Sequence, residues 1–443
     1  MRSIDRRSFL HNTAALAAAM AAVPASSPRA AASSDDPDPG KPAGPNEVLR
    51  VAVVGVRGRG NDHIQGFTSL KKEARVTAIC DIDQNVAATR SKYLEEQNGT
   101  APKIYQDIRK LLDDKDIDII SVATTNHWHA LATIWGIQAG KDVYVEKPVS
   151  HNVSEGRRMV EAARKYDKIV QTGTQCRSSK GLQEAMEFIR AGKLGQVYLA
   201  KGLCYKPRGS IGHKPDGPVP AGVDYNIWLG PAPERPFNAN RFHYNWHWFW
   251  DYGNGDLGNQ GIHQMDLARW GLNKHELPKA VLASGGRFGY KDDGETPNTL
   301  GVAFEFDDCE LQFEVRGLPT NDELKVKVGD IFYGTEGILA INSYSSWQVY
   351  FGDKLEKGPS GSGNGDHYAN FLKAVRARDR KILNAEIEEG HLSSAYCHLG
   401  NIAYRLGRKL HINPSTESFV NDAEADAMLT REYRKPFVVP EKV

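Results

Sequence analysis

A chain of 443 residues is long enough to bury two or three sizeable cores. Its 56 basic residues balance 55 acidic ones, which excludes the basic footprint of a nucleic-acid binder and any charge bias toward anionic membranes. Cys80, Cys176, Cys204, Cys309 and Cys397 are odd in number and scattered, without CxxC or CxxxH spacing, so neither a disulfide framework nor a metal site follows.

The first residues read as an address. Asp5-Arg6-Arg7-Ser8-Phe9-Leu10 precedes an apolar run from Thr13 to Pro24 and an alanine stretch at Ala30-Ala31-Ala32. Residues 1–32 resemble a twin-arginine export signal, with Asp5 before the arginine pair and His11 after it as departures. Such a signal implies a periplasmic or extracellular protein with no integral membrane span after its removal. Residues 33–46, rich in Asp, Pro and Gly, read as a linker or arm.

Val48 to Val54 is a buried-strand run, and Gly55-Val56-Arg57-Gly58-Arg59-Gly60 follows at once, with a helix expected from His63 to Leu70. Strand, glycine turn and helix form the setting in which backbone N–H groups and a helix dipole receive a pyrophosphate. The spacing departs from G-x-G-x-x-G, because Arg57 takes the middle place and Gly58 comes next. A second strand, Arg75 to Cys80, ends at Asp81, where a carboxylate accepts hydrogen bonds from both ribose hydroxyls and repels a 2′-phosphate. That favours NAD over NADP. The alternative for Asp81 is a helix N-cap. Strand and helix continue to alternate through Ile117–Thr125, Ala130–Ala139, Val143–Val145, Glu155–Tyr166 and Lys168–Gly173. This pattern predicts a doubly wound parallel sheet, an α/β Rossmann domain over residues 47–173.

The chain turns on Tyr144-Val145-Glu146-Lys147-Pro148. The short strand delivers Glu146 and Lys147 at its carboxyl end, where open α/β sheets place their ligands. A lysine there can hold a hydroxyl oxygen and shuttle its proton once burial lowers its pKa. Pro148 suits a cis bond that aims such a lysine into a cleft. An ordinary exposed Glu-Lys pair is the plain alternative.

With Gly55–Gly60, Asp81, Ala123-Thr124-Thr125-Asn126-His127-Trp128-His129, Ala139-Gly140-Lys141 and Glu146-Lys147-Pro148 in this order, the chain resembles the glucose–fructose oxidoreductase and inositol dehydrogenase family (Gfo/Idh/MocA). The resemblance implies a second, α+β domain on a large, mostly antiparallel open sheet, here residues 174–412, followed by a tail at 413–443. One face of such a sheet commonly forms an oligomer interface, so a homodimer or homotetramer is expected. It further implies Lys147 beside the nicotinamide and the substrate hydroxyl. Thr124, Asn126 and Glu146 would contact or position the cofactor, with His129 nearby.

In the second domain Arg177 follows the hinge Thr172-Gly173-Thr174-Gln175-Cys176, and either reaches substrate or forms a structural ion pair. Residues 206–236 are Gly/Pro-rich and suit a functional loop. They include Tyr225. The run from Phe242 to Trp250 is dense in aromatics, and Trp246 there can stack on a sugar ring or belong to a buried corner. His243 and His247 have a metal-like spacing but no third ligand. The family pattern of an acid, a histidine four residues on and an acid three further on is met by His263 and Asp266, while Asn259 replaces the first acid. Asparagine cannot raise the basicity of His263 through charge, so His263 would orient substrate while Lys147 moves the proton. A structural histidine is the alternative.

These residues predict an exported oxidoreductase that holds its nicotinamide cofactor tightly and acts on a secondary hydroxyl of a sugar, glycoside or polyol. The second reading is a redox-neutral, NAD-dependent enzyme that cleaves glycosides by oxidation, elimination, hydration and reduction, with His263 or Tyr225 as the extra base. The third is a non-catalytic carbohydrate-binding protein on a Rossmann shell.

Overall fold

Leu49–Val54 is buried along its whole length, the mark of a strand covered on both faces. It is β1 of the computed structural model, which describes residues 47–443; the signal and arm expected at residues 1–46 lie outside the described residues. Five strands join it: β2 (Ala74–Cys80), β3 (Lys103–Tyr105), β4 (Ile119–Val122), β5 (Asp142–Val145) and β6 (Val170–Thr172). All pair in parallel, in the order β3-β2-β1-β4-β5-β6. Between them run α1 (Gly58–Ser69), α2 (Gln84–Asn98), α3 (Ile108–Leu112), α4 (Asn126–Gln138) and α5 (Val153–Lys165). Successive residues face opposite sides. Ile120 and Val143 pack with Leu131 and Met159 on one side, while Ile119 and Tyr144 pack with Ile64 and Phe67 on the other. The strand order reverses between β1 and β4, and a crevice opens beyond their carboxyl ends.

The second domain enters through α6 (Lys180–Arg190) and β7 (Val197–Cys204), then α7 (Tyr225–Leu229), α8 (Gly255–Asn259) and α9 (Gly261–Gly271). Its remaining strands are β8 (Ala280–Gly286), β9 (Thr299–Glu305), β10 (Glu310–Arg316), β11 (Val328–Gly334), β12 (Ile338–Ile341), β13 (Ser346–Phe351) and β14 (Glu356–Ser362). After α10 (His367–Ala377) and α11 (Ile387–Leu406) come β15 (Leu410–Asn413) and β16 (Ser418–Phe419). These strands form one 10-stranded sheet in the order β14-β13-β12-β11-β7-β10-β9-β8-β15-β16. The β7–β10 pair is parallel and the other pairs are antiparallel. The sheet is therefore the large, mostly antiparallel one expected. Strands β9 and β10 alternate strictly, and their buried side (Val302, Phe304, Leu311, Phe313) packs on Met265 of α9 and Leu399 of α11. No helix among the described residues is long and apolar enough to cross a membrane.

Several boundaries differ from the sequence expectation. Strand β11 begins only at Val328, after a turn in which Leu324 and Lys325 take positive φ (50° and 66°). Strand β14 was not anticipated, since its sequence Glu-Lys-Gly-Pro-Ser-Gly-Ser has no apolar residue to signal it. The last long helix stops at Leu406, where Gly407 takes the left-handed conformation that closes a helix. The boundary expected at residue 412 falls inside β15. Beyond it the chain returns to the first domain, where Phe437 is buried edge-on against Trp128 of α4 at 5.5 Å.

Arg177 belongs to the core. Its Nε donates to Asp266 at 2.8 Å and its Nη2 to Glu389 at 3.0 Å, while its guanidinium lies over the Trp270 ring. Asp266 also accepts from Ser393 at 2.7 Å, and Arg269 joins the network through Ser393 and Glu389. Of its two sequence readings, Arg177 takes the structural ion pair. Removing one member strands a buried charge. Arg177→Ala should therefore cost about 3–5 kcal/mol of stability, read as a lower urea midpoint, with substrate KM unchanged in whatever fraction stays folded.

Candidate active site

The helix after β1 starts at Gly58, five residues earlier than expected, so the glycine turn is itself the first helical turn. Gly55 has φ +79°, and a Cβ there would lie 2.7 Å from the Ala123 carbonyl oxygen. A Cβ on Gly60 would lie 1.7 Å from the Gly55 carbonyl oxygen, so only glycine lets helix and turn approach. At Gly58 a Cβ would meet nothing within 4 Å, and Gly58 lines the crevice. Arg57 occupies the N-cap without a side-chain cap bond. The first-turn amides of α1 thus keep their donors for a ligand. Asp81 closes this turn from β2: its carboxylate accepts from Val56 N–H at 2.8 Å and Asp83 N–H at 3.0 Å. The cap of α2 is Asp83, which accepts from Asn85 N–H. The helix-cap alternative for Asp81 therefore falls away, and Asp81 lines the cleft. Burial raises its pKa against those two bonds.

The crevice widens into a cleft of about 340 Å³. Gly55, Arg57, Gly58, Arg59 and Asp81 line one end. Thr124, Asn126, His129, Glu146 and Lys147 follow along the strand ends, and Asn259 and Trp246 face them from the second domain. Gly60 is packed beneath the turn. Glu146 does not project freely, for it accepts from Arg59 Nε at 2.8 Å and lies 2.9 Å from His63 Nε2. Burial alone would raise its pKa, yet the Arg59 charge and the His63 bond hold it well below the usual carboxylate range. His129 sits between two carbonyl oxygens, 2.6 Å from Pro148 and 3.1 Å from Thr124. Burial lowers its pKa, so the ring stays neutral and donates to one of them at a time.

Lys147 reaches across to the second domain. Its Nζ donates to the Asn259 carbonyl oxygen at 2.8 Å, at the break between α8 and α9, and the Lys147–Pro148 bond is cis. Burial lowers its pKa, with the Glu146 charge opposing that shift. The plain alternative of an exposed pair does not hold, because Glu146 is buried and the half-buried Lys147 is tied to the second domain through the Asn259 carbonyl. His263, on α9, is 5% exposed, and its Nδ1 is buried without a partner. Burial and the nearby Lys147 charge hold it well below the ordinary histidine pKa, so it is a neutral ring. Asp256, the other possible source of charge for it, is paired with Arg208 at 2.7 Å. Among the described residues no carboxylate hydrogen-bonds to His263.

Tyr225 stands elsewhere. Its hydroxyl donates to the Pro236 carbonyl oxygen, its ring stacks on Trp228 at 5.4 Å, and it borders a separate surface hollow. The tyrosine beside His263 is Tyr344, from the β12–β13 turn, with ring centroids 5.2 Å apart and its hydroxyl accepting from Gln260 Nε2 at 2.8 Å. Nothing local in the sequence marks it. The aromatic run supplies more than Trp246: His243, Tyr244 and His247 also line the cleft. His243 bridges the domains through Asp83 at 3.1 Å, which explains its place better than metal binding does. Among the described residues no cluster of metal-ligating groups occurs.

The donor set fits a dinucleotide: first-turn amides for the pyrophosphate, an open face at Gly58, and Asp81 for a ribose. Since no protein atom would oppose a side chain at Gly58, Gly58→Val should leave the melting temperature nearly unchanged. It should weaken NAD binding roughly tenfold or more by occupying the cradle, as titration calorimetry would measure.

Comparison with known proteins agrees with this geometry. The model of the oxidoreductase family's NAD-binding Rossmann fold matches residues 49–174, and that of its C-terminal alpha/beta domain matches residues 205–439. Inositol 2-dehydrogenase of Salmonella typhimurium is 29% identical over 159 residues, 36% of this chain and 46% of the relative. A glycosyl hydrolase family 109 protein of Shewanella baltica is 30% identical over 207 residues, 44% of this chain and 45% of the relative. The match thus spans a little under half the length of these relatives. Among solved structures, the WlbA dehydrogenase of Bordetella pertussis in complex with NADH and UDP-GlcNAcA has a TM-score of 0.64 at 17% identity, covering 83% of this chain and 99% of its own. A levoglucosan dehydrogenase complex with NADH and levoglucosan has a TM-score of 0.63 at 17% identity, covering 82% and 99%. Both domains are accounted for, and the chain belongs to the Gfo/Idh/MocA oxidoreductase family, with an NAD-binding Rossmann domain.

Proposed function

We propose that this protein oxidises a secondary hydroxyl of a sugar, glycoside or polyol and keeps its NAD bound between turnovers. The observation that carries the reading is the half-buried Lys147 amine, set at the strand end opposite an aromatic wall and held by the Asn259 carbonyl oxygen. NAD, when bound, supplies the hydride acceptor. The chain supplies the rest. Lys147 in its neutral form takes the hydroxyl proton at Nζ, and the Asn259 carbonyl steadies the ammonium that results. His263 is not among the residues that line the cleft, and its part in orienting substrate rests on the family pattern. Trp246 offers an aromatic face for the C–H side of a sugar ring.

Retention of the cofactor rests on a strap from the second domain. Val223 pairs with Asp83 in an antiparallel bridge, Gln84 N–H donates to the Gly222 carbonyl, and Asp224 N–H donates to the Ile82 carbonyl. The strap therefore lies across the strand end that carries Asp81. Export through the twin-arginine route, to a compartment poor in free dinucleotide, makes such retention useful, and both the route and a homodimeric or homotetrameric assembly belong to this proposal.

The redox-neutral glycoside-cleaving reading is supported by one observation, the phenol of Tyr344 beside His263, a candidate for the second base. Its similarity to glycosyl hydrolase family 109 proteins supports the same reading. Oxidised product accumulating against an acceptor supports the first mechanism. Released aglycone without net redox change supports the second.

The chain purified without added cofactor and then denatured should release about one NAD(H) per chain, identified by mass spectrometry. NADP(H) would overturn the role given to Asp81, and an empty protein that refuses NAD would overturn the oxidoreductase reading. Because burial lowers the Lys147 pKa, kcat/KM for oxidation should rise with pH through a midpoint below the ordinary lysine range. Lys147→Ala should remove that limb and about 10²–10⁴ of the rate while NAD stays bound.

A further inference from the structure

A second cavity, of about 350 Å³, lies behind the cleft. Asn254 is the wall between them. Its Oδ1 accepts from Asn126 Nδ2 of the cleft at 3.0 Å, while on the far side its Nδ2 donates to the His151 carbonyl at 3.1 Å and its backbone carbonyl accepts from Asn401 Nδ2 at 3.0 Å.

The lining has a surplus of donors. Arg405 lays its guanidinium over the Trp250 ring at 5.2 Å and makes no hydrogen bond or ion pair among the described residues. Arg431 uses Nη1 alone, donating to His151 Nδ1 at 3.2 Å and the Asp251 carbonyl at 2.9 Å. A guanidinium only donates, so His151 Nδ1 is the acceptor and its proton sits on Nε2, which is buried without a hydrogen bond. Asn401, which lines the same cavity, is 5% exposed and its Oδ1 is a buried acceptor without a donor. Two carboxylates border the cavity: Asp251 is paired with Arg235 at 2.9 Å, and Glu432 is exposed.

We propose that this cavity is a second ligand site for a small polyhydroxylated carboxylate. The carboxylate lies between Arg405 and Arg431, whose planar N–H forks match its geometry. A ligand hydroxyl donates to Asn401 Oδ1, which relieves the unmet cost of burying that acceptor. The inference is independent of the reaction at Lys147.

Equilibrium dialysis of the NAD-loaded full chain tests it, with labelled D-gluconate as probe. D-glucose, which lacks the charge, and inorganic phosphate, which lacks the carbon-bound hydroxyls, serve as competitors. One saturable equivalent per chain is expected, unaffected by Lys147→Ala and poorly displaced by either competitor. Arg405→Ala, at an exposed position, should weaken it roughly tenfold or more. Asn401→Leu should weaken it too, and Arg405→Lys should weaken it less than Arg405→Ala. The proposal is overturned by absence of saturable binding, by binding that Lys147→Ala abolishes and Arg405→Ala spares, or by phosphate competing as well as gluconate itself.

Discussion

A carboxylate buried away from water stays ionised only if charge and hydrogen bonds replace its hydration, and Glu146 is held by both. Arg59 and His63 come from α1, whose first turn is part of the glycine turn, and Ser121 on β4 fixes the far side of the His63 ring at 2.8 Å. The end of β5 is thereby tied to the helix that receives a pyrophosphate. A Cβ on Gly173 would lie 2.6 Å from the same carboxylate, so the end of β6 also closes on it. The residue after Glu146 is Lys147. The carboxylate thus sets the distance between the cofactor cradle and the amine that moves a proton.

The second domain answers with backbone as much as with side chains. Asn259 has no carboxylate to offer, but its carbonyl oxygen is the partner of Lys147, and a main-chain acceptor cannot be lost by substitution at that position. Asp266, the acid that the sequence pattern pairs with His263, spends its oxygens on Arg177 and Ser393 instead. The histidine is left neutral and the lysine becomes the group able to titrate. This division follows from burial: a site with few compensating carboxylates favours uncharged rings and a lysine whose proton is loosely held.

Legibility in the sequence followed the reach of the interactions. The glycine turn and Asp81 depend on neighbours in one βαβ unit, and the Glu146-Lys147-Pro148 strand end is marked by its own short apolar strand, so periodicity and spacing were enough to place them. Arg177 needed knowledge of Asp266 and Glu389, the latter more than two hundred residues on, and a chain read linearly leaves its two roles equally open. Tyr225 and Tyr344 exchanged places for the same reason. One stands in a conspicuous motif and packs on Trp228, while the other sits in an unremarked hairpin turn that only the sheet's order brings to His263. Strand β14 carries no apolar residue and became visible only through its pairing with β13.

Phe437 has a consequence for the order in which the molecule is made. It covers Trp128 and Trp135 on α4, and the guanidinia of Arg109 and Arg434 lie over its ring at 5.2 and 5.1 Å. The first turn of α4 carries Asn126 and His129 of the cleft. During synthesis the Rossmann strands emerge first, but the helix beneath the cleft keeps an uncovered tryptophan face until Phe437 has left the ribosome. The nucleotide-binding half is thus finished by the other end of the chain, and a nascent chain that carries every residue of the glycine turn still lacks a completed floor.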